Sequence, residues 1–256
     1  PGTMMLTKGN EIKKVQIERL ECNDAMRTIG VRICPSGQQE MEYRYRLEQT
    51  RDFAKNLLGG RLPRSLALRA YKNVYIPMIS YPLGASTLLE IQLRKIHSEI
   101  EKAYLAKAGI NRKFPKAVLR GPKQYGGHGD PSLYTRKGYQ QLQLLLGHIR
   151  NKDEQGGMMR QAIEVSQLTA GTMGPILEEK GDTDWMGWVE DTWVKDVKRF
   201  LTSIGAGVMI MQQWQPKIQR QGDSFLMDHI PKKSNIKSTQ QINRRRMFLQ
   251  ALTVSD

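Results

Sequence analysis

Asp182-Thr183-Asp184 is the close aspartate pair of this chain. Polymerases and nucleases hold two divalent ions between such carboxylates, activating the attacking oxygen and stabilising the leaving one. Here the pair stands just before a helical pattern, where acidic side chains cap backbone donors and favour the dipole, and no strand pattern presents it. Capping is the expected role, and a self-sufficient metal-dependent nuclease would rest on Asp182 and Asp184 alone. His97, His128, His148 and His229 are scattered, with no His-x-x-x-His pair to set two imidazoles on one helical face, so no zinc site is indicated. There is no G-x-S-x-G elbow, and the loop GPKQYGGHG lacks the Gly-Lys-Ser/Thr ending with which a P-loop holds phosphates and magnesium. No catalytic residue and no metal ligand is assigned on these patterns. What remains is binding by cations.

The elements that must position those cations begin at Ala25–Gly37, AMRTIGVRICPSG. Ile29, Val31 and Ile33 alternate with Thr28, Gly30 and Arg32, which predicts one half-buried strand followed by a Pro35-Ser36-Gly37 turn. On its polar face Gly30 would let another backbone approach, with Thr28 and Arg32 beside it to donate to a phosphate. The plain alternative is a glycine tolerated at an edge or bulge. On the strand reading Gly30→Val folds normally and only crowds that approach. Val15 and Ile17, after a Lys8-Gly9-Asn10 turn signal, predict a partner strand that completes a small ribbon.

Helical patterns take over from there. Tyr43, Leu47, Thr50, Ala54, Leu57 and Leu58 share one face, with Arg44, Arg51 and Lys55 on another, and Gly59-Gly60 ends the run. A second helix is expected from Pro63, with Arg69 and Lys72 outward, stopped by Pro77. Thr87 and Glu90 predict a capping box for a third, which Gly109 closes. Asn111 to Gly129 has no periodicity and carries Arg112, Lys113, Lys116, Arg120 and Lys123 among prolines and glycines. Asp130-Pro131 reads as N-cap and first position of the next helix. Further helices are expected from Met158 to Ala170, Val189 to Ile204 and Ser238 to Leu252, the last with Arg244, Arg245 and Arg246 exposed, and Val208 to Met211 as a short strand. The fold class expected is mainly α: an N-terminal β-hairpin in 1–38, a helical thumb-like region with a basic loop in 39–130, and a connection-like helical region in 131–256.

Forty Lys+Arg against 25 Asp+Glu leave a net charge of +15, which favours a polyanionic partner, nucleic acid before anionic membrane. Basic stripes with Tyr45, Tyr75 and Tyr81 nearby suit a phosphate backbone, although ordinary solvated faces have the same composition. Cys22 and Cys34 form neither a disulfide framework nor a CxxC site, which fits an intracellular setting without deciding between nucleus and cytoplasm. No apolar run is long enough to span a bilayer, and the N-terminus lacks a signal-peptide layout. The start at Pro1 and the unterminated last helix suggest a fragment of a longer chain.

RTIGV followed by PSG, then LRAYKNVYIPMISYPL, KAGINRKFPKAVLRGPKQYGGHG with SLYTRKGYQ, and INRRRMFLQALTVSD resemble the region after the palm in non-LTR-type retroelement reverse transcriptases, which are RNA-directed DNA polymerases. The resemblance spans most of the chain and is weakest from Asn151 to Trp185. It implies that Arg27, Thr28, Ile29 and Gly30 act as a primer grip. It also implies a thumb along the template-primer duplex, contacted by Arg44, Arg51, Arg69 and Lys72. An A-form RNA:DNA hybrid is read by backbone and shape, which such unspecific cations suit.

Two departures matter. The family's aromatic-x-Asp-Asp palm motif is absent, and His128 stands where an aliphatic residue is expected in GG-x-G. The resemblance therefore implies that magnesium belongs to a palm outside this chain, that palm and fingers are its partners beside the RNA template and DNA primer, and that this segment does not polymerise alone. From a different class comes the alternative of a domesticated or degenerate helical scaffold that binds RNA or protein.

Overall fold

Helical periodicity dominates the chain after Gln39, and in the computed structural model, which describes residues 5–7, 14–16, 21–178, 183–230 and 235–256, helices dominate the architecture. Two small antiparallel pairs precede them. β1 (Met5–Thr7) pairs with β2 (Lys14–Gln16), Leu6 opposite Val15, and β3 (Met26–Thr28) pairs with β4 (Val31–Ile33), Arg27 opposite Arg32. The strand around Val15 therefore pairs with its N-terminal neighbour and does not extend a ribbon with β3 or β4. The Lys8-Gly9-Asn10 turn lies outside the described residues, as does Asp182.

The expected single strand from Thr28 to Ile33 is instead a hairpin. Ile29 and Gly30 have φ of 47° and 84°, the two-residue turn that joins β3 to β4. Alternation of apolar residues continues through such a turn by coincidence of count, so the pattern alone cannot reveal the reversal.

α1 (Glu40–Gly59) buries Thr50, Ala54 and Leu57 against α4 (Glu90–Ala108), which buries Leu93, Ile96, Ile100 and Ala103. Between them runs a continuous helical rod: α2 (Arg64–Ala70), a π-helical turn at Tyr71–Tyr75, and α3 (Ile76–Ser80). Pro77 does not stop this rod. A proline ring clashes with the carbonyl four residues back in α-geometry, but the wide turn before it, closed by Ile76 N–H on the Tyr71 carbonyl, shifts that register. α4 starts at Glu90, where the Leu89 N–H donates to Gln92 Oε1 at 2.9 Å, so Thr87 is not its cap.

The segment after Gly109 is ordered around α5 (Lys116–Arg120) and a 3₁₀ turn at Lys123–Tyr125. His128 N–H donates to Val118 and Gly129 N–H to Gly121, each at 2.8 Å. Gly127 lies so close to Gly121 that a Cβ would sit 2.1 Å from its carbonyl oxygen, which is why glycine is needed here.

α6 (Leu133–Asn151) is capped by Ser132, whose Oγ accepts from Thr135 N–H at 3.1 Å. Its start packs in the first apolar core, with Leu133, and its later turns in a second, with Leu145. α7 (Glu154–Ala170) begins earlier than Met158 because Asp153 caps it, accepting from Gly156 N–H at 2.8 Å. Asp184–Gly187 forms a 3₁₀ turn, no strand presents Asp184 among the described residues, and α8 (Trp193–Ser203) starts four residues after Val189, capped by Thr192. Val208 to Met211 is not a strand.

α9 (Ile236–Phe248) ends before Leu252, and Arg246 is buried rather than exposed. Its guanidinium donates to the Leu168 and Thr169 carbonyls at 2.9 Å, satisfying the C-terminal end of α7. Among the described residues no helix is long and apolar enough to cross a membrane.

Candidate nucleic-acid interface

The hairpin tip is fixed to α1 by a buried ion pair. Glu42 and Arg46 are one helical turn apart, with Arg46 Nε 2.5 Å from Glu42 Oε1. Glu42 Oε2 accepts the Arg32 N–H at 2.8 Å, and Arg46 donates to the Gly30 carbonyl at 2.5 Å. The second turn residue and the middle of β4 thus each hang from one member of the pair. The Arg32 guanidinium lies over the Tyr45 ring, its carbon 3.4 Å from the centroid, a cation–π contact with α1. Sequence reasoning passed over Glu42 and Arg46, whose signal was a Glu-Arg i,i+4 pair in the first turns after a hairpin.

What this clamp presents is unusual. Ile29 is 81% exposed at positive φ, a conformation that a β-branched side chain adopts only under strain. Gly30 sits beside Tyr81, whose ring edge would lie 3.3 Å from a Cβ at that position; Tyr81 itself is exposed. Arg27 faces the same side as Arg32, whereas the register puts Thr28 with Val31 on the opposite face, so Thr28 and Arg32 do not flank Gly30 together. A strand glycine open to a neighbouring backbone is thereby corrected to a turn glycine. Gly30→Val is expected to lower the unfolding free energy by about 1–3 kcal/mol, because valine is strained at this φ, and urea denaturation measures it.

The other sequence-predicted cations do not form one stripe. Arg44 is paired with Glu40 at 2.7 Å, and Arg51 stands 4.0 Å from Glu99 across to α4. Arg69 on α2, and Arg112 and Lys113 in the turns after α4, are exposed and have no acidic partner among the described residues. Lys72, on the π-helical turn, and Lys123 both act on His128, whose pKa is lowered first by burial and then by Lys72. Lys116 and Arg120 lie together on α5, Lys116 at 3.9 Å from Glu101.

Behind this surface lies a buried polar centre. Asp130, expected as an N-cap, is 2% exposed and accepts from Tyr71 at 2.9 Å and Tyr104 at 2.7 Å. The two rings stack with centroids 3.8 Å apart. Burial, and then the Asp130 charge, push both phenols far above the usual tyrosine range, so both remain donors. This ties the π-helical turn, α4 and the basic loop into one rigid support.

Among the described residues no group of three His, Cys, Asp or Glu could hold a metal ion, and Asp184 stands at a 3₁₀ turn. Comparison with protein-family models, with curated proteins and with solved structures returns no match to this chain.

Proposed function

We propose that this chain is the thumb-side part of a non-LTR-type retroelement reverse transcriptase, and that it grips an RNA template–DNA primer duplex without catalysing polymerisation itself. The observation that carries the reading is the hairpin tip: Ile29, strained and exposed, and Gly30 beside it, held against α1 by Glu42 and Arg46 and flanked by Arg27 and Tyr81. A strained exposed turn on a rigid mount suits a contact that must be placed accurately, here with the primer end. Arg69, Arg112 and Lys113, which have no acidic partner among the described residues, supply charge to phosphates, while Arg44 and Arg51 would have to leave acidic partners first and contribute less.

Fluorescence anisotropy with a short RNA:DNA hybrid across a salt series tests this. The expected log–log slope is about −0.9 per neutralised phosphate, with little dependence on sequence. Affinity that ignores salt, or that selects one sequence, overturns the duplex grip and favours a scaffold for a specific RNA or a protein.

A further inference from the structure

A second site lies in the irregular segment after α8. The run 213–217, Gln219 and, from after α9, Leu252 line a cleft of about 620 Å³, within the range of ligand sites. Both parts of its lining are fixed. Ile210 is buried in the second core, the Gln213 N–H donates to the Ile210 carbonyl at 3.2 Å, and Arg160 of α7 donates to the Met211 carbonyl at 3.1 Å. Across the chain, the Leu252 carbonyl accepts from the Leu226 N–H at 3.1 Å. Among the described residues four that are not glycine have positive φ, and two of these, Gln212 at 60° and Gln250 at 58°, stand two residues before Trp214 and Leu252. Such backbone persists only where its surroundings hold it, and it collects at ligand sites.

Trp214 is the exposed one of the chain's four tryptophans, with 46% of its surface open. Trp185 is fully buried, while the half-buried Trp188 and Trp193 donate to the Ala170 and Gly84 carbonyls. An indole left open in a cleft is a stacking platform for a flat ring. The Gln215 and Gln219 side-chain amides have no hydrogen-bond partner among the described residues, and each offers a donor and an acceptor, the pairing that a base edge presents. The Gln213 amide atoms are buried and take no part. Lys217 supplies positive charge, and among the described residues no carboxylate lines this cleft. Asp223 and Asp256 line an adjoining cavity, where Asp256 is paired with Arg220 at 3.2 Å. An aromatic face, free amides and one cation favour a nucleotide over a neutral sugar, which has no use for the lysine. We infer that this cleft takes one unpaired nucleotide of a single strand, its base stacked on Trp214, the base edge met by Gln215 and Gln219, and its phosphate by Lys217. The site goes beyond the duplex grip, since bases stacked within a duplex present no free face.

The test titrates the full chain with a short oligoadenylate RNA, without any duplex, following tryptophan emission and the anisotropy of the labelled strand. Saturable quenching of the emission is expected. Trp214→Ala is expected to abolish the quenching and weaken binding about tenfold, as loss of one stacked base does, whereas Trp214→Phe keeps most of the affinity through its aromatic face. Lys217→Gln should lower the log–log salt slope by about 0.7, one phosphate contact on a single strand. Both side chains are exposed, so these variants are expected to fold. The proposal is overturned by the absence of saturable quenching, by quenching that survives Trp214→Ala, by Trp214→Phe binding as weakly as Trp214→Ala, or by an unchanged salt slope in Lys217→Gln. A neutral oligosaccharide that quenches the emission through Trp214 and displaces the RNA overturns the nucleotide in favour of a sugar. Because the probe contains no hybrid, these outcomes stand whether or not the hairpin grips a duplex.

Discussion

Asp196→Ala is expected to remove about 3–5 kcal/mol of unfolding free energy near neutral pH. Asp196 is 2% exposed and Lys137 fully buried, with Lys137 Nζ 2.6 Å from Asp196 Oδ2 and 2.7 Å from the Leu88 carbonyl. Gln141 completes the centre, donating to the same carboxylate oxygen at 2.9 Å and to the Ser86 carbonyl at 3.1 Å. These contacts join α6, α8 and the 86–88 segment at one point. Burial already lowers the Lys137 pKa against the opposing pull of Asp196, so deleting the carboxylate leaves an ammonium with no counter-charge where water cannot reach it.

The pH dependence follows in sign. With Lys137 depressed in the folded state, the unfolded chain binds more protons, so stability rises with pH up to the unfolded lysine pKa near about 10. That rise should be steeper in Asp196→Ala than in wild type, because the variant can neutralise Lys137 at lower cost as protons become scarce. Urea denaturation at two pH values measures both effects. Replacing the pair together, Lys137→Met with Asp196→Leu, should recover most of the loss, since apolar side chains of similar volume need no partner. A single variant no less stable than wild type at neutral pH would show that the pair contributes nothing.

Local patterns made the long helices legible, and distant partners hid the polar centres. The apolar stripe on α4 could be read because Leu93, Ile96, Ile100 and Ala103 repeat at helical spacing within one element. Asp130 before proline resembles a helix start, yet its partner Tyr71 is 59 residues away and the next, Tyr104, 26 away. Arg246 sits in a run of three arginines on a polar helix, and only the carbonyls at the end of α7, 77 and 78 residues earlier, explain its burial. Pro77 misled for a different reason: one π-helical turn changes the register that makes proline a helix breaker.

The hairpin was misread for the reason that makes it a candidate site. Two-residue turns of this kind favour Asn-Gly or Asp-Gly, and isoleucine at the first position conceals the turn behind a strand-like alternation. Of the thirteen cations and tip residues singled out from sequence, the hairpin members Arg27, Gly30 and Arg32 are gathered on one mount, while Arg44, Arg51 and Lys116 are engaged with acids. Residue type revealed the charge, and only the fold revealed which charges are spent internally.

Ile29 and Arg46 separate holding the tip from using it. Ile29→Asn supplies the residue that this backbone favours, so thermal stability should rise, by about 0.5–1 kcal/mol in unfolding free energy. If the exposed isoleucine side chain buries against the duplex, the same change should weaken hybrid binding about tenfold, since burying an isoleucine is worth about 1.5–3 kcal/mol. A variant that is more stable yet binds worse is difficult to obtain from a purely structural turn. Arg46→Leu should behave differently: it strips Glu42 of its partner and the Gly30 carbonyl of its donor, costing about 3–5 kcal/mol in stability and lowering hybrid affinity as the tip loses its mount. Melting curves and anisotropy on the two variants give the four values required. If Ile29→Asn binds the hybrid as tightly as wild type does, the tip is not a contact, and the clamp formed by Glu42 and Arg46 serves the fold alone.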